Sequence, residues 1–190
     1  LEVHLAKISH NSHCLSTQLG RLGVGITGVT KVALGDPRVA NAMLKGGISR
    51  IGDSRIENIR KLHDAGVAAE LVLLRSPQLS RVDEVVKYAD ISLNSELEVI
   101  RRLSQAAQRQ GRTHRVLLMI ELGDLREGIP LLELEEVFAE CLALPNLEVE
   151  GVGTNLTCLS GVKPDAENMG RLSFSAESLR TRFGISLTTV

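Results

Sequence analysis

Aromatic residues are scarce in this 190-residue chain: they make up 2% of it, and tryptophan is missing altogether. The core must therefore be built from Leu, Val, Ile and Ala, and the scarcity argues against an aromatic platform on which nucleic-acid bases stack. An excess of positive charge is missing too, because the formal net charge is −1. Without a basic excess nothing attracts a phosphate backbone, so we expect no nucleic-acid partner.

Long apolar runs and clustered cysteines are also absent. No apolar run approaches the roughly 20 residues that span a bilayer, and the amino terminus has no signal-peptide pattern. The cysteines Cys14, Cys141 and Cys158 are far apart and odd in number, so they form neither a disulfide framework nor a metal-spaced cluster. These absences predict a cytoplasmic protein with no membrane partner.

Histidines are few and lack the arrangement of a metal site. His10 and His13 stand one helical turn apart, but no third ligand is evident near them in the sequence. A structural or catalytic zinc needs three or four ligands. We therefore predict no metal and treat all five histidines, including His114, as surface residues.

What the chain does contain is a regular alternation of short apolar strands and amphipathic helices. Such alternation with short connections predicts a parallel sheet of right-handed βαβ units. The predicted strands are 1–5, then 27–35, 48–53, 70–75, 90–94, 115–122 and 149–156, and the start of a last one at 185–190.

Apart from the strand at 1–5, these segments make seven strands that suit a TIM-type (β/α)8 barrel. The rival is a doubly wound sheet, whose G-x-G-x-x-G nucleotide motif follows the first strand. Here Gly23-x-Gly25-x-x-Gly28 precedes a strand instead. A complete barrel takes about 250 residues, so we expect residues 1–190 to form an incomplete barrel that stops after its seventh strand begins.

Two helix starts carry clear local signals. Asp36-Pro37 places a capping residue before a proline at the first helical position, and Gly46-Gly47 ends that helix. Ser54-Arg55-Ile56-Glu57 has the spacing of a capping box. Both patterns predict helices that begin directly after strands.

Lys31 stands out because it lies in an otherwise apolar predicted strand, Thr27 to Gly35. If that strand is covered on both faces, the low dielectric favours the neutral amine that attacks carbonyl carbons. The alternative is an edge-strand lysine whose stem packs while its ammonium reaches water. The strand alone does not decide between them.

Polar side chains follow most of the predicted strands, at the end where catalytic groups of such barrels lie. Arginines opposite a lysine suit an anionic ligand that carries a carbonyl. The alternatives are helix capping by Ser54 and Asn94 and surface ion pairs of the arginines. The residues concerned are Lys31, Asp53, Ser54, Arg55, Arg75, Asn94, Ser95, Asp124, Arg126, Asn155 and Cys158.

Four segments resemble one known family. They are Asp53–Asn58 (DSRIEN), Val85–Leu97, Glu121–Gly128 (ELGDLREG) and Gly153–Cys158 (GTNLTC). Together they are similar to the ornithine racemase-like branch of the alanine racemase superfamily, the fold-type III enzymes that use pyridoxal 5'-phosphate (PLP). The resemblance covers nearly the whole chain.

The resemblance implies roles for particular residues. Lys31 would form the Schiff base with PLP, and Arg126 would contact the phenolic oxygen of the cofactor. Asn155 stands where alanine racemases carry a histidine against the pyridine ring, and Arg55 would also lie at the cofactor site. Freed Lys31 would serve one face of the substrate. In related racemases the base for the other face comes from the β-domain of a partner subunit. Within these 190 residues Cys158, which follows the end of a predicted strand, is the one candidate for it, and its alternative is an inert buried thiol.

The resemblance also predicts what lies outside these 190 residues. In the family, a phosphate-binding turn, an eighth strand and a C-terminal β-domain follow, and the working form is a homodimer. We therefore expect the chain alone to be inactive, aggregation-prone and a poor binder of PLP.

The predicted activity is racemisation of a free amino acid, ornithine-like or another small one. Two alternatives stay open: a PLP-binding homeostasis protein of the same fold without turnover, and an aldolase barrel that forms a lysine Schiff base without a cofactor.

Overall fold

The computed structural model describes residues 2–156 and 161–190. Within these residues seven α-helices and six β-strands alternate. The helices are α1 Leu5–Gly20, α2 Pro37–Lys45, α3 Ile56–Asp64, α4 Val82–Tyr88, α5 Leu97–Gln110, α6 Leu134–Ala143 and α7 Ala166–Phe183. The strands are β1 Thr27–Val29, β2 Arg50–Asp53, β3 Glu70–Leu73, β4 Ile91–Asn94, β5 His114–Met119 and β6 Leu147–Gly153.

The strands follow one another through the sheet in chain order, from β1 to β6. The pairs β1–β2, β2–β3 and β5–β6 are parallel, with Val29 beside Gly52 and Asp53 beside Leu73. Consecutive strands that pair in parallel need a crossover between them, which the intervening helices supply. The predicted succession of parallel βα units is therefore confirmed.

The chain divides into two compact units. The first comprises Leu1–Arg75 and Lys87–Ile91, and the second Ser76–Val86 and Ser92–Val190. In the first unit the large apolar side chains that are fully buried include Ile51, Ile59 and Leu62; in the second they include Ile100, Leu118 and Phe138. Apart from Phe138 these are aliphatic, as the scarcity of aromatic residues requires.

The predicted strand at 1–5 is wrong. Helix α1 begins at Leu5, and Glu2 to His4 have no regular structure. The helix packs on the end of α2, where the Ser16 hydroxyl donates to the Gly46 carbonyl over 2.8 Å. A pattern of five residues was too short to separate a strand from a helix start.

The predicted strand at 185–190 is also wrong in extent. Among the described residues it is reduced to one parallel bridge between Thr189 and Gly151, with the Thr188 amide donating to the Glu150 carbonyl over 3.0 Å. Gly184, at φ 63°, ends α7 just before this segment. None of the described helices is long and apolar enough to cross a membrane.

Candidate functional site

Lys31 lies just after β1, not inside it. The strand ends at Val29, and Lys31 is the first residue of a 3₁₀ turn, Lys31–Ala33. The C-cap of this turn is Leu34, which lies in the left-handed region at φ 51°. Lys31 is exposed, and so are Val32 and Leu34. The predicted strand over 27–35 is therefore wrong at Lys31, and of the two interpretations of this lysine the structure shows the one whose ammonium reaches water, although the residue does follow the carboxyl end of β1.

Thr30 is the residue that anchors the Lys31 turn. Its amide donates to the Gly52 carbonyl over 3.0 Å, and its own carbonyl accepts the amides of Ala33 and Gly35 at 2.8 and 3.4 Å. Its hydroxyl donates to Oδ2 of Asp53 over 2.9 Å. The bonds to Gly52 and Asp53, together with the local bonds of the turn, hold Thr30 at φ −100°, ψ 0°, where the chain leaves the strand.

Asp53 is fully buried at the end of β2 and also organises the start of α3. Its Oδ1 accepts the Arg55 amide over 3.1 Å and the Asn58 side-chain amide over 2.9 Å. The predicted capping box at Ser54 is wrong, because Arg55 occupies the N-cap position and makes no side-chain cap bond. Asp53 instead binds the amide of the N-cap residue and the side chain of Asn58 in the first turn of α3.

Three cationic side chains follow β1, β2 and β3 in the first unit. They are Lys31, Arg55 and Arg75, and all three are exposed. Among the described residues none of them forms a side-chain hydrogen bond or an ion pair. The alternative that Arg55 and Arg75 pair with surface carboxylates is therefore wrong. Cations without acidic partners at one end of a sheet suit an anionic ligand.

The second unit places Arg126 in a compact loop after β5. The loop is closed by hydrogen bonds from the Ile129 amide to the Met119 carbonyl, 2.8 Å, and from the Glu121 amide to the Ile129 carbonyl, 3.0 Å. Gly128, at φ 140°, lets the chain pass this close, since a Cβ atom there would lie 2.5 Å from the Glu121 nitrogen.

Arg126 is held by two carboxylates of this loop. Its Nε lies 3.5 Å from Oδ2 of Asp124, whose side chain is 1% exposed, and its Nη2 lies 3.4 Å from Oε1 of Glu127. The ion pairs that were the alternative for Arg126 are thus formed. The same Glu127 oxygen accepts the Asn155 side-chain amide over 2.9 Å, so Glu127 joins two of the predicted site residues.

Asn94 belongs to a buried polar cluster in the second unit and caps no helix. Its Nδ2 donates to the Ser92 carbonyl and hydroxyl at 2.8 and 2.9 Å, while α5 begins after Glu96 without a side-chain cap. The Ser92 hydroxyl lies 2.8 Å from Nε2 of His114. The prediction that Asn94 caps a helix is wrong.

His114 corrects the prediction that all histidines lie on the surface. It is 1% exposed at the start of β5. Burial, and then the positive charge of Arg115, lower its pKa from 6.5 to about 4. His114 is therefore neutral at physiological pH.

Two further predictions concern Cys158 and metal ligands. Cys158 lies outside the described residues. In the part of the chain that is described, no three side chains of His, Cys, Asp or Glu come together as a metal site.

The sequence analysis did not identify the side chains that form hydrogen bonds to the predicted site residues. Thr30 and Asn58 in the first unit and Glu127 in the second make direct hydrogen bonds to Asp53 or Asn155. Asn58 and Glu127 stand within the DSRIEN and ELGDLREG segments, which was the available signal.

Comparison with known sequences gives one family. Residues 3–188 match the family described as alanine racemase, N-terminal domain. Ornithine racemase of Acetoanaerobium sticklandii is 44% identical over 144 residues, which are 75% of this chain and 40% of that protein. Lysine racemase of Thermotoga maritima is 34% identical over 190 residues, which are 100% of this chain and 53% of that protein. The chain thus spans about half the length of these relatives.

Solved structures show the same fold. Alanine racemase of Clostridium difficile 630 superimposes with a TM-score of 0.82 at 16% identity, over 97% of this chain and 49% of that one. PipY of Synechococcus elongatus, with PLP bound, gives a TM-score of 0.73 at 14% identity, over 92% of this chain and 82% of that one. These likenesses confirm the predicted α/β barrel class.

Proposed function

The chain belongs to the alanine racemase N-terminal domain family, and from that membership we propose that this protein is a PLP-dependent racemase of a free amino acid. Ornithine and lysine are the first substrates to test, because the relatives named for them are similar along 75% and 100% of this chain. The membership also confirms the family resemblance found in the sequence.

One observation carries the proposal: the exposed Lys31 amine, which has no partner among the described residues. An amine that is not engaged by a carboxylate is available to bond a carbonyl carbon. Arg55 and Arg75 add two unpaired positive charges after the neighbouring strands β2 and β3. An aldehyde and an anionic group on one molecule, as in PLP, fit this combination.

In this proposal Lys31 holds the cofactor through Nζ, and Arg55 with Arg75 attracts an anionic group of the cofactor or the substrate. When bound, PLP supplies an electron sink for the electrons left when the α-proton is removed. The family assigns Arg126 to the phenolic oxygen. Asp124 and Glu127 support that role by fixing the guanidinium from two sides, and Glu127 holds Asn155 beside it.

Racemisation needs a proton acceptor on one face of the substrate and a donor on the other. On one face the proton would go to Nζ of Lys31. We propose that the Cys158 thiol exchanges the proton on the other face, because in the sequence Cys158 follows the end of a predicted strand. The proposal includes a homodimer in a reducing, cytoplasmic setting as the working form.

The test uses the full-length protein with PLP and L-ornithine or L-lysine. We expect absorbance from protein-bound PLP and a loss of optical rotation as the D-enantiomer accumulates. Absorbance with unchanged rotation would show a PLP-binding protein without turnover. No PLP absorbance, together with aldol cleavage by the same lysine, would show a cofactor-free aldolase.

The role of Cys158 has its own test. In deuterated water, Cys158→Ser should keep the exchange of the α-proton in the enantiomer whose proton Lys31 takes, but lower the conversion of that enantiomer into the other by about 100-fold or more, the usual loss of a general acid. Cys14→Ser is the control, since Cys14 lies on α1. Equal racemisation in both variants would remove Cys158 from the reaction.

A further inference from the structure

We infer that Asp53 and Thr30 are positioning residues, which hold the Lys31 turn in place through one buried hydrogen-bond network. The importance of this network for the reaction rests on the proposed function, but the network itself does not. Neither residue is a member of the proposed catalytic set. Each acts through the backbone that carries Lys31.

The first link of the network joins Asp53 to the start of the turn. The Thr30 hydroxyl is buried and donates to Oδ2 of Asp53 over 2.9 Å. The Thr30 carbonyl accepts the amides that close the turn, those of Ala33 and Gly35. Displacing Thr30 would therefore displace the whole segment in which Lys31 is the first residue.

The second link joins Asp53 to the end of the turn. Its Oδ1 accepts the Asn58 side-chain amide over 2.9 Å, and Asn58 is the residue against which Gly35 packs. A Cβ atom at Gly35 would lie 2.8 Å from Cβ of Asn58 and 3.0 Å from its Cα. One carboxylate thus supports both ends of the Lys31 turn.

The turn needs such support because of its own backbone. Leu34, between Lys31 and Gly35, has φ 51° and is 66% exposed, so its side chain packs too little to hold it there. A non-glycine residue in this region persists when its surroundings over-determine it. A shift of about 1 Å in a reacting group can lower a rate by roughly 100-fold, so the position of Nζ matters for capture of a carbonyl.

The experiment compares variants in the full-length protein. Asp53→Ala removes both links, and Thr30→Val removes only the hydroxyl. Asp53→Asn is the conservative variant: its amide can donate to Thr30 Oγ, which then donates to the Gly52 carbonyl, 3.3 Å away. Ile51→Val is the control, a fully buried residue of the same strand outside the network.

Two readouts are needed. Amide hydrogen exchange at Ala33 and Gly35 reports the turn without any cofactor. The rate of borohydride-trapped PLP labelling at Lys31 reports its effect on capture. We expect Asp53→Ala and Thr30→Val to speed exchange at both amides by at least about tenfold relative to Ile51→Val, and to slow labelling by roughly 10- to 100-fold. Asp53→Asn should stay within about threefold of the wild type in both readouts.

Other outcomes overturn the inference. Exchange at Ala33 and Gly35 in Thr30→Val that equals the Ile51→Val control would show that the network does not hold the turn. Faster exchange with unchanged labelling would show a structural network without a positioning role. If the wild type takes no label at Lys31, the proposed function fails, and the exchange readout still decides whether the network holds the turn.

Discussion

Gly35 packs directly against Asn58, with room for a hydrogen atom and none for a methyl group. A Cβ atom at Gly35 would meet the Cβ, Cα and carbonyl oxygen of Asn58 at 2.8 to 3.0 Å. Gly35 also has φ +62°. The end of the Lys31 turn therefore requires glycine for two separate reasons, and a matched pair of variants can separate them.

Gly35→Ala should destabilise the protein more than Gly66→Ala does. Gly66, at the end of α3, has φ +67° and nothing within 4 Å of its would-be Cβ, so alanine there costs only the left-handed backbone, about 1 kcal/mol. Gly35→Ala adds the clash with Asn58, which we expect to cost about 1–3 kcal/mol more. Urea unfolding of both variants measures the difference. Equal losses would show that the approach of Gly35 to Asn58 is not close.

The buried His114 should make stability depend on pH. Its pKa is 6.5 when unfolded and about 4 when folded, so the folded state binds fewer protons between these values. Stability should therefore fall as pH falls from 6.5 to about 4 and level off below. The His114 contribution should be about 2 kcal/mol between about pH 7.5 and about pH 5.

Urea unfolding at the two pH values tests this in His114→Gln, with His13→Gln as the control. His13 is an exposed histidine of α1. The decrease in the free energy of unfolding between the two pH values should be the same in His13→Gln as in the wild type and smaller in His114→Gln. An undiminished decrease in His114→Gln would show that the pH dependence comes from other titrating groups.

Arg126→Leu should be destabilising, unlike the loss of an exposed arginine. Arg126 lies beside the Asp124 carboxylate, which is almost fully buried, although the guanidinium itself is 30% exposed. A buried carboxylate that loses its partner is destabilising, but solvent partly screens this pair because the guanidinium is partly exposed. We therefore expect the free energy of unfolding to fall by about 1–2 kcal/mol.

Arg171→Leu is the matched control. Arg171 pairs with Glu167 on α7, and both side chains are more than half exposed, so its loss should stay within about 0.5 kcal/mol. Urea unfolding at neutral pH compares the two variants. If the free energy of unfolding falls by the same small amount in both variants, Arg126 contributes no more to stability than a surface ion pair.

The sequence predicted those elements whose signals are local. Helix α2 begins as expected because Asp36 accepts the Arg38 amide over 2.8 Å and Pro37 occupies the first helical position. Strands β2 to β6 lie within or close to their predicted ranges, since short apolar runs between helices leave few alternatives.

The errors share a different cause, which is a partner distant in the sequence. The Lys31 turn replaces a strand because Thr30 bonds to Asp53, 23 residues away. His114 is buried because it pairs with Ser92, 22 residues away. No periodicity within a short window contains such partners. The sequence therefore points to Lys31, Arg55, Arg126 and Asn155 as candidates, whereas the contacts of Thr30, Asn58 and Glu127 exist only in the folded structure.

The most direct test of the central claim is to locate the PLP label. The full-length protein is loaded with PLP, reduced with borohydride, digested, and the modified peptide is identified by mass. Lys31→Ala and Lys45→Ala are treated in parallel, because Lys45 ends α2 and lies outside the network that anchors the Lys31 turn. We expect the pyridoxyl group on Lys31 in the wild type and in Lys45→Ala, and no label in Lys31→Ala. A label on Lys45 or Lys87, or full labelling of Lys31→Ala, would contradict the assignment of Lys31 as the residue that holds the cofactor.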